Sequence, residues 1–367
     1  MAKKALLTVD GVHRKVKKGF ITDDAATHRK IKKAFMTVGG VYRPCWSGGE
    51  LAYYGTITGL NAARYELAAT TIGNYAIFSG GYDGDGYHST TETYDASLVH
   101  SKLSAISSMA SSQKAATSNG TYAIFAGGYD GSNEKYVFAY DSSLTKKAPD
   151  SLGTARRMLA ATSVGNYALF GGGHYTSATT KVDAYNASLS RSTPTTLSVG
   201  RHYLAATSVG NYALFGGGFD SSGYTTVDAY NASLSRSVPT GLSSARWYLA
   251  ATTVGNYALF GGGVDSNVVD AYDASLTRST PTALSHARSD LAATTVGNYA
   301  LFGGGKDGEA TWGYVDVYDS SLTRTVYTLN KTRCSLAATT VGDYALFGGG
   351  QNDADGAVNT VEAFTVA

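Results

Sequence analysis

The residues of this chain that could do chemistry are spread along it rather than gathered. The seven histidines stand at positions 13, 28, 88, 100, 174, 202 and 286, and none pairs with another at metal-ligand spacing. Cys45 and Cys334, the only cysteines, make neither a metal cluster nor a disulfide framework. There is no Gly-x-Ser-x-Gly elbow, and the Gly-Gly-Gly runs close apolar strands instead of opening helices, so they are not phosphate cradles. Asp83-Gly84-Asp85-Gly86 and Asp353-Ala354-Asp355-Gly356 lack the third acidic position and the distal glutamate of a calcium loop and read as turns. The expectation is a protein that is not an enzyme, with no metal site and no cofactor.

A second set of residues does recur with fixed spacing. Arg64, Arg156, Arg201, Arg246, Arg288 and Arg333 each stand three residues before the first leucine of a repeated apolar segment, and Ser111 takes that place in one unit. The two residues after each differ every time: Tyr65-Glu66, Ser112-Gln113, Arg157-Met158, His202-Tyr203, Trp247-Tyr248, Ser289-Asp290 and Cys334-Ser335. A ring of guanidinium groups has two uses. It can tie down carbonyls of a neighbouring loop through its five donors, or it can draw acidic glycans or teichoic-type phosphates into a channel. The variable pairs would then carry selectivity, through aromatic side chains that stack on sugars or protein surfaces at low entropic cost. The ligand-binding set expected on this basis is Tyr65, Arg157, Arg201, His202, Tyr203, Arg246, Trp247, Tyr248, Asp290 and Trp312, with Trp247 and Tyr203 solvent-exposed.

The elements that must hold these residues follow from an internal repeat. The segment Leu-Ala-Ala-Thr-Thr-Val-Gly-Asn-Tyr-Ala-Leu-Phe-Gly-Gly-Gly returns with small changes, its tyrosine falling at 75, 122, 167, 212, 257, 299 and 344. Units of about 45 residues match blades of four short strands. In the fourth unit, Leu204–Val209 reads as strand A, Tyr212–Gly217 as B, Thr226–Tyr230 as C and Leu234–Val238 as D. Gly210-Asn211 and Asn231-Ala232-Ser233 are the turns. Abundant glycine (44) and tyrosine (27) with little proline (5) suits such an all-β chain. The last unit ends after its strand C, and residues 50–60 align with a strand D. The fold class expected is therefore all-β: a seven-bladed β-propeller of four-stranded blades over residues 50–367, closed by an N-terminal outer strand and preceded by a small β-hairpin arm, residues 1–49. The variable D-to-A and B-to-C connections share one face, and the near-invariant A-to-B and C-to-D turns share the other. Cys45 and Cys334 fall near opposite faces, so no bond between them is expected.

The di-glycine that ends strand B, the variable loop after it and the Tyr-Asp turn together resemble the kelch repeat, over residues 50–367. That resemblance implies a propeller used for binding. Propeller enzymes include the copper-dependent galactose oxidase and sialic-acid mutarotases; the copper oxidase needs a Tyr, His and Cys ligand cluster that cannot be assembled from these residues.

The arm differs in charge from the body. Residues 1–49 hold 11 Lys+Arg against 3 Asp+Glu, whereas the rest of the chain carries a net −6. Val12-His13-Arg14-Lys15-Val16-Lys17-Lys18-Gly19-Phe20 returns as Thr27-His28-Arg29-Lys30-Ile31-Lys32-Lys33-Ala34-Phe35, and Val41–Cys45 is a truncated third copy. Asp10-Gly11 and Gly39-Gly40 read as hairpin turns. Hairpins this short bury no core alone, so they should pack on a partner or on copies of themselves. The arm resembles the short basic repeats that precede variable domains in tail and other virion proteins of bacteriophages of Gram-positive bacteria. The resemblance implies attachment to other virion proteins through Arg14, Lys15, Lys17, Lys18, Arg29, Lys30, Lys32 and Lys33. No nucleic-acid module accompanies the charge, no apolar run is long enough for membrane insertion, and the first residues do not form a signal peptide. The functional expectation is a bacteriophage or prophage virion component, made in the cytoplasm, whose rim binds a host cell-surface glycan or protein. The alternatives are a decoration protein of the particle without a host ligand and a carbohydrate-active propeller enzyme.

Overall fold

The computed structural model describes residues 5–9, 12–16, 20–22, 28–30, 34–38, 41–46, 49–103 and 110–366. Among them no helix occurs, and residues 49–366 build seven four-stranded antiparallel sheets arranged as a β-propeller. Blade 4 shows the plan: strand A is Ala205–Val209, B is Tyr212–Gly216, C is Val227–Asn231 and D is Arg236–Ser237. Strand A of every blade packs against strand A of the next, and the ring closes where Ala337–Val341 of blade 7 meets Ala68–Ile72 of blade 1. Side chains alternate along strand A, as they must in a pleated strand. Ala205 and Val209 are buried between blades and Thr207 is buried at the channel wall, while Ala206 and Ser208 are only partly covered and line the channel.

Blade 7 is completed from the N-terminal side. Leu51–Ile57 pairs antiparallel with Val361–Val366, from Leu51 opposite Val366 to Ile57 opposite Val361. Both ends of the domain are thus held in one sheet, and the ring has no open inner edge. The register slips between Ala363 and Phe364, opposite Gly55 at φ 120°. This is a bulge that only glycine accepts readily.

The core lies between blades rather than within them. Between blades 4 and 5, Leu214, Val227, Leu242, Leu249, Phe260 and Tyr272 form one buried cluster, and the other junctions repeat it. The glycines that end strand B follow from this packing. A Cβ on Gly216 would sit 2.7 Å from the Phe260 ring, and one on Gly217 (φ 68°) would sit 2.7 Å from the Arg246 carbonyl oxygen. Tyrosines of strand C tie blades together, as where the Tyr230 hydroxyl donates to the Thr195 carbonyl at 2.8 Å. At the end of the channel near the A-to-B turns, hydroxyls bridge neighbouring A strands: Thr207 to Thr253 at 2.9 Å, Thr252 to Thr295 at 2.7 Å, and Thr294 to Thr340 at 2.9 Å. In the A-to-B turn the positive φ rests on the glycine alone (Gly210, 53°). The C-to-D turn is an Asx turn in which Asn231 Oδ1 accepts from the amides of Ser233 and Ser235, both at 3.0 Å.

The arm contains three antiparallel strand pairs: Ala5–Val9 with Val12–Val16, Phe20–Thr22 with His28–Lys30, and Ala34–Val38 with Val41–Trp46. Arg14 and Lys15 lie in the first pair and Arg29 and Lys30 in the second. Lys17, Lys18, Lys32, Lys33 and the turns Asp10-Gly11 and Gly39-Gly40 lie outside the described residues.

Candidate ligand-binding face

Each D-to-A connection delivers three consecutive residues to one end of the ring, and the structure gives each a different job. The first is the repeated arginine. Arg201 and Arg246 were expected at the rim; instead all six arginines are fully buried. Each meets an acid on strand C of its own blade: Arg64–Glu92 at 2.7 Å, Arg156–Asp183 at 2.8 Å, Arg201–Asp228 at 2.8 Å, Arg246–Asp270 at 2.5 Å, Arg288–Asp316 at 2.7 Å and Arg333–Glu362 at 3.1 Å. The guanidinium also donates to backbone carbonyls, in blade 4 to Phe215 at 3.0 Å and Val199 at 3.2 Å. Burial pushes the Arg201 guanidinium below its ordinary value, and Asp228 opposes the shift. The arginine ring is therefore structural, and its charge is neutralised in place. It cannot attract an anion into the channel.

The acid is clamped from its other side by strand D. Arg236 reaches Asp228 at 3.1 Å, Arg191 reaches Asp183 at 2.8 Å, His100 reaches Glu92 at 2.6 Å, and the Tyr53 hydroxyl donates to Glu362 at 2.6 Å. Blade 2 departs as a set: Ser111 replaces the arginine, Phe138 replaces the acid, and Lys114 replaces the strand-A leucine. The Lys114 ammonium stands over the Phe138 ring, 5.6 Å from its centroid. Burial, with Arg64 adding to it, pushes that amine down to about 7.

The second residue of each triplet faces the B-to-C loop. His202 and Phe219 exchange backbone hydrogen bonds at 3.0 and 2.8 Å, and Arg157 and His174 do the same at 3.2 and 2.8 Å. These bridges gather the rim aromatics. His174, His202, Tyr203 and Tyr248 form one chain of rings, with centroids 5.3, 4.8 and 3.7 Å apart. Phe219 links His202 to Trp247, at 5.8 and 4.9 Å. His202, Tyr203, Trp247 and Tyr248 thus form one continuous patch. Trp247 and Tyr203, expected to be solvent-exposed, are half-buried. Trp247 lies against Gly223, whose Cβ would meet its ring at 2.8 Å, and Tyr203 is covered by Tyr248.

Tyr65 and Arg157 belong to another cluster. Tyr65, Tyr82, Tyr87 and Tyr129 are in edge or tilted contact, and the Arg157 guanidinium lies 4.1 Å from the Tyr129 centroid. Trp312 stands apart with His286 and Tyr314, its indole donating to Asp307 at 2.8 Å.

The third residue lines the channel mouth, and here a feature appears that residue types did not announce. Glu66, Gln113, Met158, Tyr203, Tyr248, Asp290 and Ser335 all have left-handed backbones, with φ between 52° and 57°. Their backbones are joined in a closed circle. The amide of Gln113 donates to the carbonyl of Glu66, Met158 to Gln113, Tyr203 to Met158, Tyr248 to Tyr203, Asp290 to Tyr248, Ser335 to Asp290 and Glu66 to Ser335, at 2.8–3.1 Å. This seven-membered belt holds the mouth at a fixed diameter while its seven positions carry six different side chains. Together with Lys114 and the strand-A leucines they line a cavity of about 230 Å³. Burial raises Asp290, with Lys306 opposing at 3.5 Å, and burial likewise lowers the His202 imidazole.

Asp83 Oδ1 accepts from the amides of Asp85 and Gly86 at 2.9 and 2.7 Å, which makes that segment an ordinary Asx turn. Among the described residues no group of three or more His, Cys, Asp or Glu is placed to hold a metal ion. Cys334 is a buried free thiol. No protein-family model matches this chain, and no curated protein sequence matches it.

Proposed function

We propose that this chain is a bacteriophage or prophage virion component whose kelch-like propeller binds a host cell-surface glycan or protein through the face bearing the D-to-A and B-to-C connections. The observation that carries the reading is the contrast between the two ends of the ring. One end repeats the same turns blade after blade. The other holds six residue types at its seven equivalent belt positions and assembles the aromatic patch of His202, Tyr203, Phe219, Trp247 and Tyr248. Variation on a rigid frame is how a binding face is diversified without disturbing the fold.

The basic arm is the attachment segment. With 11 Lys+Arg against 3 Asp+Glu in residues 1–49, it suits an acidic face of another virion protein, through Arg14, Lys15, Arg29 and Lys30 in its strands and Lys17, Lys18, Lys32 and Lys33 beyond them. Such an attachment weakens as salt rises. Two measurements test the reading: electron micrographs of the parent particle with this chain labelled, and binding of the intact chain to Gram-positive cell envelopes. Label on the particle exterior with saturable envelope binding supports it. Particles without label, or no binding to the envelopes of the parent's host, refute it.

A further inference from the structure

We infer that the channel mouth enclosed by the seven-residue belt is a binding site for a single neutral sugar unit, entered end-on. The inference names the ligand class of the face described above and rests on reading that face as the binding face. Its starting point is the belt's conformation. Seven side-chain-bearing residues are held at φ 52–57°, where glycine is the residue without strain and every other residue is strained. The other repeated left-handed residues with side chains are the leucines of the C-to-D turns, such as Leu189 and Leu234 at φ 62° and 59°, and those side chains pack against the core; the belt side chains line the mouth instead. At the belt a side chain stands at every position despite the strain, as at sites where held strain serves a function.

The groups around the mouth narrow the ligand. Glu66 and Asp290 supply carboxylates, Gln113 an amide, Ser335 a hydroxyl, Tyr203 and Tyr248 stacked phenols, and Met158 an apolar surface. Gln113 donates to Glu66 at 2.9 Å, while its own amide oxygen is buried and accepts no hydrogen bond. Carboxylates, an amide and phenols accept and donate in the pattern that a ring of hydroxyls needs, and the aromatic and thioether surfaces suit its C–H face. Charge argues against an acidic sugar. The arginines that could have attracted one are buried and paired, and two carboxylates line the mouth. Lys306 at 3.5 Å from Asp290 in turn opposes a cation. A cavity of about 230 Å³ is smaller than the roughly 300–1,000 Å³ that encloses a drug-sized ligand. It therefore takes one terminal ring, and the remainder of a glycan would run out over Tyr203 and Tyr248 onto the Trp247 patch.

The test is saturation-transfer NMR on the intact chain with glucose, galactose and N-acetylglucosamine as neutral probes, and glucuronic acid and sialic acid as acidic ones. Glu66→Gln, Asp290→Asn and Tyr248→Phe change mouth groups with little change of volume, and Val326→Ala changes an exposed residue of the outer strand of blade 6, away from the mouth; melting curves confirm that each variant is folded. The expected result is saturable binding of at least one neutral sugar, weakened tenfold or more by Glu66→Gln or Asp290→Asn, unaffected by Val326→Ala, with weaker or no binding of the acids. Equal or tighter binding of an acidic sugar, neutral-sugar binding that survives all three mouth variants, or no sugar binding at all overturns the inference. Envelope binding by the same samples separates the two claims: if it persists when the mouth fails these tests, the binding face stands and only its ligand site is misplaced.

Discussion

Arg201 and Asp228 meet at 2.8 Å in the middle of blade 4 with neither side chain exposed to solvent. The pair joins the D-to-A connection to strand C, and Arg236 and the Ser198 amide hold the carboxylate from its other side at 3.1 and 3.0 Å. Removing one partner of such a pair leaves a buried charge uncompensated, which typically costs about 3–5 kcal/mol. Arg201→Ser and Asp228→Phe singly should each destabilise on that order. Together they recreate the Ser111 and Phe138 combination of blade 2, so the double variant should lose less than the sum of the two by at least ~1 kcal/mol. Urea unfolding midpoints measure this, and strict additivity would show that the two residues are not one unit.

Lys114 makes stability depend on pH. Its folded value, about 7, lies below the roughly 10.4 of a free lysine. Between those values the unfolded chain binds more protons, so this group's contribution to stability rises with pH across that window, and its full penalty is present below pH 7. Lys114→Leu restores the residue of the other blades. It should raise the melting temperature by several degrees at pH 6, with the difference from the parent chain shrinking toward pH 10. A difference independent of pH would mean that the amine is not held in its neutral form.

Closure by Leu51–Ile57 predicts a sharp boundary in truncation. Removing residues 1–48 leaves the outer strand of blade 7 in place. Removing residues 1–60 deletes it, together with the Tyr53 hydroxyl bond to Glu362 and the buried Leu51 and Leu60. The second truncation should lower the melting temperature far more than the first. Equal values would mean that the strand contributes nothing to closure.

The propeller and its closure were readable from residues because each blade repeats one solution. The tyrosine of strand B recurs seven times, and a missing last strand has its copy at the front. The role of the arginines was readable only in part. Asp183, Asp228, Asp270 and Asp316, with Glu92 and Glu362, stand at one position of strand C, and Phe138 breaks the series in the same blade as Ser111. Seeing the pairing required comparing two positions across blades at once, because recurrence alone fits a surface ring equally well. The belt left no trace in residue type, since a left-handed backbone is usually read from glycine and these positions hold Glu, Gln, Met, Tyr, Asp and Ser. The half-burial of Trp247 depends on Gly223 and Phe219, in a loop whose path no periodicity determines.

Strain in the belt is measurable at Ser335, the smallest of its side chains, with φ 52°. Ser335→Gly removes the Cβ conflict while keeping the backbone bond to Asp290, and should stabilise by up to about 1 kcal/mol. A loss of stability of that size would mean that the serine side chain, rather than the belt backbone, holds this part of the mouth.

Hydrogen exchange of the intact chain, with and without purified cell-wall saccharide of the host, bears most directly on the central claim that one end of the ring binds and the other only holds the fold. Binding at the variable face slows exchange at residues 65–66, 112–113, 157–158, 202–203, 247–248, 289–290 and 334–335 and in the loops after strand B, and leaves the Gly-Asn turns unchanged. Slowing confined to the Gly-Asn turns, Gly210-Asn211 and its equivalents, would contradict the account.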